Sequence, residues 1–171
     1  ATNNANLTCI ETLDPDYATT NWTNANSNID EGVTFSVICG AQNQDVWHVT
    51  TTGSDGGAGT QESPFATIQM GINAAGDGNT VHVAVGTYIE NIYIDKNIAV
   101  LGEDRETTII DGDSSGHAVN IRNVFSSSGF LLSGFTIQNG VIDPNADDIY
   151  PTRGGGIKIV YGSPTITDLI I

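Results

Sequence analysis

From Val81 onward the chain is a succession of short β-branched runs with Gly, Asp, Asn or Pro between most of them. The runs are Val81 to Val85, Tyr88-Ile89, Ile92 to Ile94, Ile98 to Leu101, Thr107 to Ile110, Ala118 to Ile121, Phe130 to Leu132, Phe135 to Ile137, Ile157 to Val160 and Thr165 to Ile171. Runs this short cannot each hold a place in a sandwich without longer hairpin partners. Stacked parallel strands can use them, because each needs only to cover the strand beneath it. Ile109-Ile110-Asp111-Gly112 and Thr136-Ile137-Gln138-Asn139-Gly140 recur 27 residues apart, and Pro164-Thr165-Ile166-Thr167 follows 29 residues after Phe135-Thr136-Ile137. Spacings in the twenties fit one turn of a β-solenoid.

Upstream, Val46 to Thr50 reads as a strand that leads into the Gly-rich loop Gly53-Ser54-Asp55-Gly56-Gly57-Ala58-Gly59. Ser63 before Pro64 before an apolar periodic run predicts a capping helix over 64–75 with Ser63 as N-cap, Pro64 in its first turn, and Phe65, Ile68, Ile72 and Ala75 on one face. It is the one convincing helix of the sequence, and Gly76-Asp77-Gly78 stops it. Residues 1–45 have a different texture, rich in Asn and Thr with little helical periodicity. They read as a small β extension with a long polar loop, strands at Leu7 to Ile10 and Val33 to Ile38, and a boundary near Gln42 to Asp45. Cys9 lies in the first of those strand segments and Cys39 directly follows the second. They read as a disulfide, worth about 3–4 kcal/mol for a loop of this size, with two buried thiols as the alternative. The bridge implies an oxidising compartment.

Composition sharpens this picture. Charged residues make up only 15% of the chain, with 5 Lys+Arg against 20 Asp+Glu and a net charge of −15, so the acidity comes from missing bases. Lys96, Arg105, Arg122, Arg153 and Lys158 are too scattered for a basic stripe, which excludes a nucleic-acid partner. No apolar run approaches the roughly 20 residues of a membrane span. With no initiator Met, Ala1 reads as the start of a processed chain.

The stretch from Trp47 to Gly112 carries Ser63-Pro64-Phe65-Ala66-Thr67-Ile68-Gln69, Gly78-Asn79-Thr80-Val81, Val85-Gly86-Thr87-Tyr88, Leu101-Gly102 and Thr108-Ile109-Ile110-Asp111-Gly112. Together they resemble the amino-terminal part of a secreted right-handed parallel β-helix of the pectin-lyase-like superfamily. Leu132 to Gly140 and Gly154 to Ile166 resemble its later coils. The resemblance, over residues 46–171, implies an all-β fold: a right-handed parallel β-helix with one N-terminal capping helix, preceded by the small β extension. It leaves activity open, since that superfamily holds lyases, hydrolases, esterases, adhesins and non-catalytic solenoids.

Candidate chemistry is thin. Lyases of that kind hold calcium on clustered Asp and remove a proton with Lys or Arg, and here Arg122 and Lys158 sit on predicted strands, where they read first as solvated charges. Asp111 and Asp113 are the nearest carboxylate pair, in a setting that reads first as a turn. Asp143, Asp147 and Asp148 form an acidic loop that could take Ca²⁺. No cofactor is required by anything else in the sequence. His48, His82 and His117 stand alone in strands of different coils. Trp47, Tyr88 and Tyr93 are candidates for stacking on sugar rings, with core packing as the default. Asn6 and Asn21 head N-x-Thr sequons for glycosylation. The chain finishes on Leu169, Ile170 and Ile171 without a polar cap, and residues 1–45 could add a strand to a neighbour's edge. The expectation is therefore a secreted, extracellular or cell-surface solenoid, non-catalytic and structural, adhesive or filament-forming by head-to-tail self-association. The alternatives are the amino-terminal part of a polysaccharide lyase or hydrolase, and a calcium-assisted module for an extracellular polysaccharide.

Overall fold

A computed structural model describes residues 9–11, 15–22, 33–36, 44–125, 127, 129–142 and 155–171. The chain divides into two compact units, Ala1–Gln44 and Asp45–Ile171. The first holds β1 (Cys9–Glu11), α1 (Pro15–Asn21) and β2 (Thr34–Ser36), with β1 and β2 paired in parallel. Trp22 meets Phe35 edge-on with ring centroids 5.8 Å apart. The helix α1 corrects the expectation of a single helix: Pro15, whose fixed φ suits a first helical turn, opens a seven-residue helix too short to show periodicity.

The second unit is mostly β-strand in parallel sheets, with little helix. Its strands are β3 (Val46–Val49), β4 (Thr80–Val83), β5 (Gly86–Ile89), β6 (Ile92–Ile94), β7 (Ala99–Gly102), β8 (Thr108–Asp111), β9 (Val119–Arg122), β10 (Leu131–Gln138), β11 (Ile157–Val160) and β12 (Thr165–Ile170). They fall into three ladders that the chain visits in rotation. One runs β3, β4, β7, the first half of β10 and the start of β12. The second runs β5, β8, the second half of β10 and Ile170 of β12. The third runs β6, β9 and β11.

Alternation along each strand sends every second side chain inward, and parallel register stacks those side chains in columns. Trp47, Val81, Val100 and Leu132 form one column, and Tyr88, Ile110 and Ile137 another; all are buried. The 27-residue repeat is thus a true register, with Ile110 directly opposite Ile137. The 29-residue one is not: Thr165 lies opposite Leu131, and Thr136 opposite Ile170. Local similarity aligned the wrong partners because β10 is one strand serving two ladders. Its bend is at Gly134, where φ is +83°, and a Cβ there would collide with the Gly102 carbonyl. That bend restarts the alternation, so Leu132 and Phe135, three apart, are both fully buried.

The predicted helix 64–75 is corrected to α2 (Ile68–Ala74), with Thr67 as N-cap accepting a hydrogen bond from the Met70 amide. Phe65 cannot be helical, because its backbone bridges β3: its amide donates to His48 O at 2.9 Å and its carbonyl accepts from Thr50 N at 2.9 Å. The predicted apolar face survives, with Phe65, Ile68, Ile72 and Ala75 all buried.

Gly134→Ala meets both a left-handed φ and a backbone collision, whereas Gly78→Ala (φ +86°) meets open space. Gly78→Ala is expected to cost about 1–2 kcal/mol from φ alone, and Gly134→Ala at least twice that. Urea midpoints of the two variants check it, and equal costs would contradict the corner's tight packing.

Candidate functional site

The three ladders have two ends, and the sequence treats them differently. At the β3 end, backbone and side chains complete, on two of the three ladders, the hydrogen bonding that a further strand would supply. The 51–65 loop pairs with the outer edge of β3: His48 N donates to Gly59 O at 2.8 Å, beside the two Phe65 bonds. Trp47 stacks on Phe65 beneath it, with centroids 5.9 Å apart and planes at 15°. On the third ladder a side chain stands in for a strand. The Gln69 carboxamide accepts from Tyr93 N at 2.7 Å and donates to Tyr93 O at 3.2 Å, which satisfies the outer edge of β6.

The helix that presents Gln69 is held at both termini by side chains from the 51–65 loop and from the turns that follow β5 and β6. Asp55 accepts from Ala66 N at 2.9 Å, Thr67 N at 3.0 Å and Thr67 Oγ1 at 2.9 Å. Glu90 accepts from Ile68 N at 2.7 Å and Gln69 N at 3.0 Å. These carboxylates take up the amides that any helix leaves without partners in its first turn. Lys96 Nζ does the converse at the last turn, donating to the carbonyls of Ile72 at 3.1 Å, Asn73 at 2.8 Å and Ala75 at 2.8 Å. Burial pushes Glu90 above the ordinary carboxylate range, against the pull of the two amides it accepts from.

At the other end the columns run out into solvent. Ile94 and Ile121 are fully buried, whereas Ile159, next in the same column, is 46% exposed. Tyr161, Ile170 and Ile171 are exposed at 71%, 43% and 76%, and Leu169 is half-buried opposite Phe135. Among the described residues β11 and β12 each have a strand partner on one side only.

The other sequence candidates resolve as follows. Asp111 is a turn latch: it accepts from Asp113 N at 2.9 Å, Gln138 Nε2 at 2.8 Å and both oxygens engage Asn139 Nδ2 at 3.0 and 2.9 Å. Those donors, the Asp113 amide foremost, hold its carboxyl below the ordinary range. Asp113 itself lies in the left-handed turn with φ +48°. Arg105 pairs with Asp168 at 3.0 Å, both about half exposed. Arg122 lies opposite Val160 and is exposed, and Lys158 lies opposite Asn120. Trp47 and Tyr88 are core residues. The Tyr88 hydroxyl donates to Ala84 O at 2.9 Å, and burial pushes its pKa up to about 12. Tyr93 is 38% exposed, opposite Asn120. Asn21 is the exposed last residue of α1. Asn6, Cys39, Asp143, Asp147, Asp148 and Arg153 lie outside the described residues, so the disulfide with Cys9 and the acidic loop have no structural account.

The histidines do not all stand alone. His48 and His82 are register partners on β3 and β4, with ring centroids 5.7 Å apart and planes at 54°. Burial first, and then His82, depress the His48 pKa, while Glu62 opposes them. His117 lies in the turn before β9, its Nδ1 buried without a hydrogen-bond partner. Sequence reasoning missed the His pair, the Gln69 cap and the Lys96 cap, since all depend on parallel register between distant segments.

Comparison with known proteins adds two findings. A family profile described as "Protein of unknown function (DUF1565)" matches residues 51–105, the stretch from the sealing loop through β7 and the turn after it. The uncharacterized protein YwoF of Bacillus subtilis (strain 168) is 30% identical over 104 residues. That match takes in 56% of this chain and spans 22% of the relative's length. No solved structure matches the chain at a significant level.

Glu90 and the two turn aspartates give stability opposite dependences on pH. The folded state binds the Glu90 proton more tightly than the unfolded state, so that contribution is full below the ordinary value of 4.5 and lost as pH rises through the higher folded pKa. Asp104 and Asp111 have depressed pKa values, so theirs is present above 3.8 and lost as pH falls. The melting temperature is expected to rise from strong acid to about pH 4 and fall above it, and Glu90→Gln should flatten the upper limb. Calorimetric scans between pH 2 and 8 test this; an unchanged upper limb in the variant would assign the slope elsewhere.

Proposed function

We propose that residues 46–171 form a right-handed parallel β-helix of the pectin-lyase-like kind, with three ladders, and that it works as a non-catalytic structural, adhesive or filament-forming subunit outside the cell. Parallel strand-to-strand crossovers are almost always right-handed, which supports the handedness. The observation that carries the functional reading is the outer edge of β11 and β12, which have one strand partner each among the described residues and present Ile159, Tyr161, Ile170 and Ile171. An unpaired strand edge beside exposed apolar side chains is a template for another strand. The described carboxylates Asp55, Glu90, Asp104 and Asp111, and the amine of Lys96, serve turns and helix termini, which favours structure over catalysis.

Head-to-tail association then has a constraint. The outer edge of β3 is already bonded to the 51–65 loop, so the head cannot offer β3 itself. In this reading residues 1–45 supply the strand that a neighbour's β11 or β12 receives, and the contact propagates because it is heterologous. The net charge of −15 suits an acidic surface exposed to the salt and calcium of an extracellular setting. A second reading is favoured by one observation, that the match spans only 22% of YwoF: further rungs of a longer polysaccharide-active protein would cover the open end. In that setting Tyr93, Asn120 and Lys158, one outward column, are the side chains offered to a sugar.

Sedimentation velocity and electron microscopy of the purified chain over a range of concentrations test the assembly. Concentration-dependent linear species are expected, and the double variant Ile159→Asp/Ile170→Asp should disperse them. Monomers at every concentration would overturn the filament, and new absorbance from unsaturated uronides on an anionic polysaccharide panel would favour the enzyme.

A further inference from the structure

Two imidazoles on neighbouring rungs of the first ladder form a feature that neither the fold nor the assembly uses. His48 and His82 are direct register partners in parallel strands, so backbone pairing fixes the separation of their Cα atoms. Both are half-buried on the outward side of the strands, where the inward neighbours Trp47, Val49, Val81 and Val83 are core. Among the described residues neither ring is hydrogen-bonded to the protein. Their ring contact is with each other, and Glu62 from the sealing loop acts electrostatically on His48.

The geometry suits shared ligation. A metal–nitrogen bond of about 2.0–2.1 Å puts a ligating ring's centroid about 3.2 Å from the ion, so two imidazoles can share one ion up to a centroid separation of about 6.4 Å. The observed 5.7 Å falls inside that limit and, with each ring turned to point a nitrogen at the shared ion, corresponds to roughly 125° there, wider than tetrahedral and well short of linear. We propose that His48 and His82 form a two-imidazole site for a borderline transition-metal ion, Cu²⁺, Ni²⁺ or Zn²⁺, with water in the remaining positions. Imidazole nitrogen selects these ions over calcium and magnesium, which take oxygen ligands. Among the described residues no third His, Cys, Asp or Glu completes a cluster. The site is therefore open to solvent and to a ligand from outside, and the Irving–Williams order places Cu²⁺ as its tightest ion. Its position gives it a structural effect: an ion bound there cross-links β3 to β4, the two strands beneath the sealing loop.

Titration calorimetry of the full chain with Cu²⁺ and with Zn²⁺ tests the site, compared across His48→Gln, His82→Gln, the double variant and His117→Gln. One equivalent is expected to weaken at least tenfold in each of the two single variants and to vanish in the double variant, while His117→Gln retains it. Binding unchanged in the double variant, or lost equally in His117→Gln, would overturn the site. A measurement on the unmodified chain guards against variants that fold poorly: substoichiometric Cu²⁺ should broaden the imidazole NMR signals of His48 and His82 before those of His117. Broadening of His117 first, or of no imidazole, also overturns it.

Discussion

Everything in the second unit depends on one requirement: a buried strand of a parallel ladder must pair its backbone on both edges, and strands of three or four residues have no hairpin partner to help. Interior rungs meet the requirement through their neighbours, and their inward side chains stack into continuous columns as a by-product. The requirement becomes severe only at the ends, and that is where the sequence spends its polar side chains. Gln69 supplies to Tyr93 the donor and acceptor of a missing peptide unit. The helix carrying Gln69 is positioned in turn by Asp55, Glu90 and Lys96, which come from the loop and from the ends of the ladder strands.

This dependence explains an otherwise odd allocation of charge. A chain with so few bases commits Lys96 to three helix carbonyls and Arg105 to Asp168. Its turn acids are not surplus either. Asp104 and Asp111 bind backbone amides in their own turns, and Asp111 also fastens its turn to Gln138 and Asn139 on the next rung. Part of the acidity thus closes tight turns, and few bases offset it because the described strand faces are built mainly from Thr, Asn, Val and Ile.

Short β-branched runs with turn residues between them were enough to locate nearly every strand from β3 to β12, because strand propensity and alternation are local properties. The 27-residue recurrence even gave one true register. The failures share a cause. The start of α2 was misplaced because Ser63-Pro64 is a good local helix signal, and only pairing of Phe65 with β3 overrides it. The 29-residue alignment failed because β10 bends at Gly134 and serves two ladders, so that Thr165 of β12 pairs with Leu131 and not with Thr136. His48 and His82 looked solitary because 34 residues separate them in sequence, and only the ladder brings them side by side. The exposure of Ile159 and Tyr161 was not legible, since their runs read like any other short strand and its turn.

The direction of the hydrogen bonds has a mechanical corollary. In these ladders they point from rung to rung, so a pull along the stack loads them in series, while a pull across a rung is carried by covalent chain. A ladder pulled in that direction parts one strand at a time. Among the described residues β12 pairs with β10 alone, while the outer edge of β3 is fastened to its own loop, so under such a pull β12 is expected to part before β3.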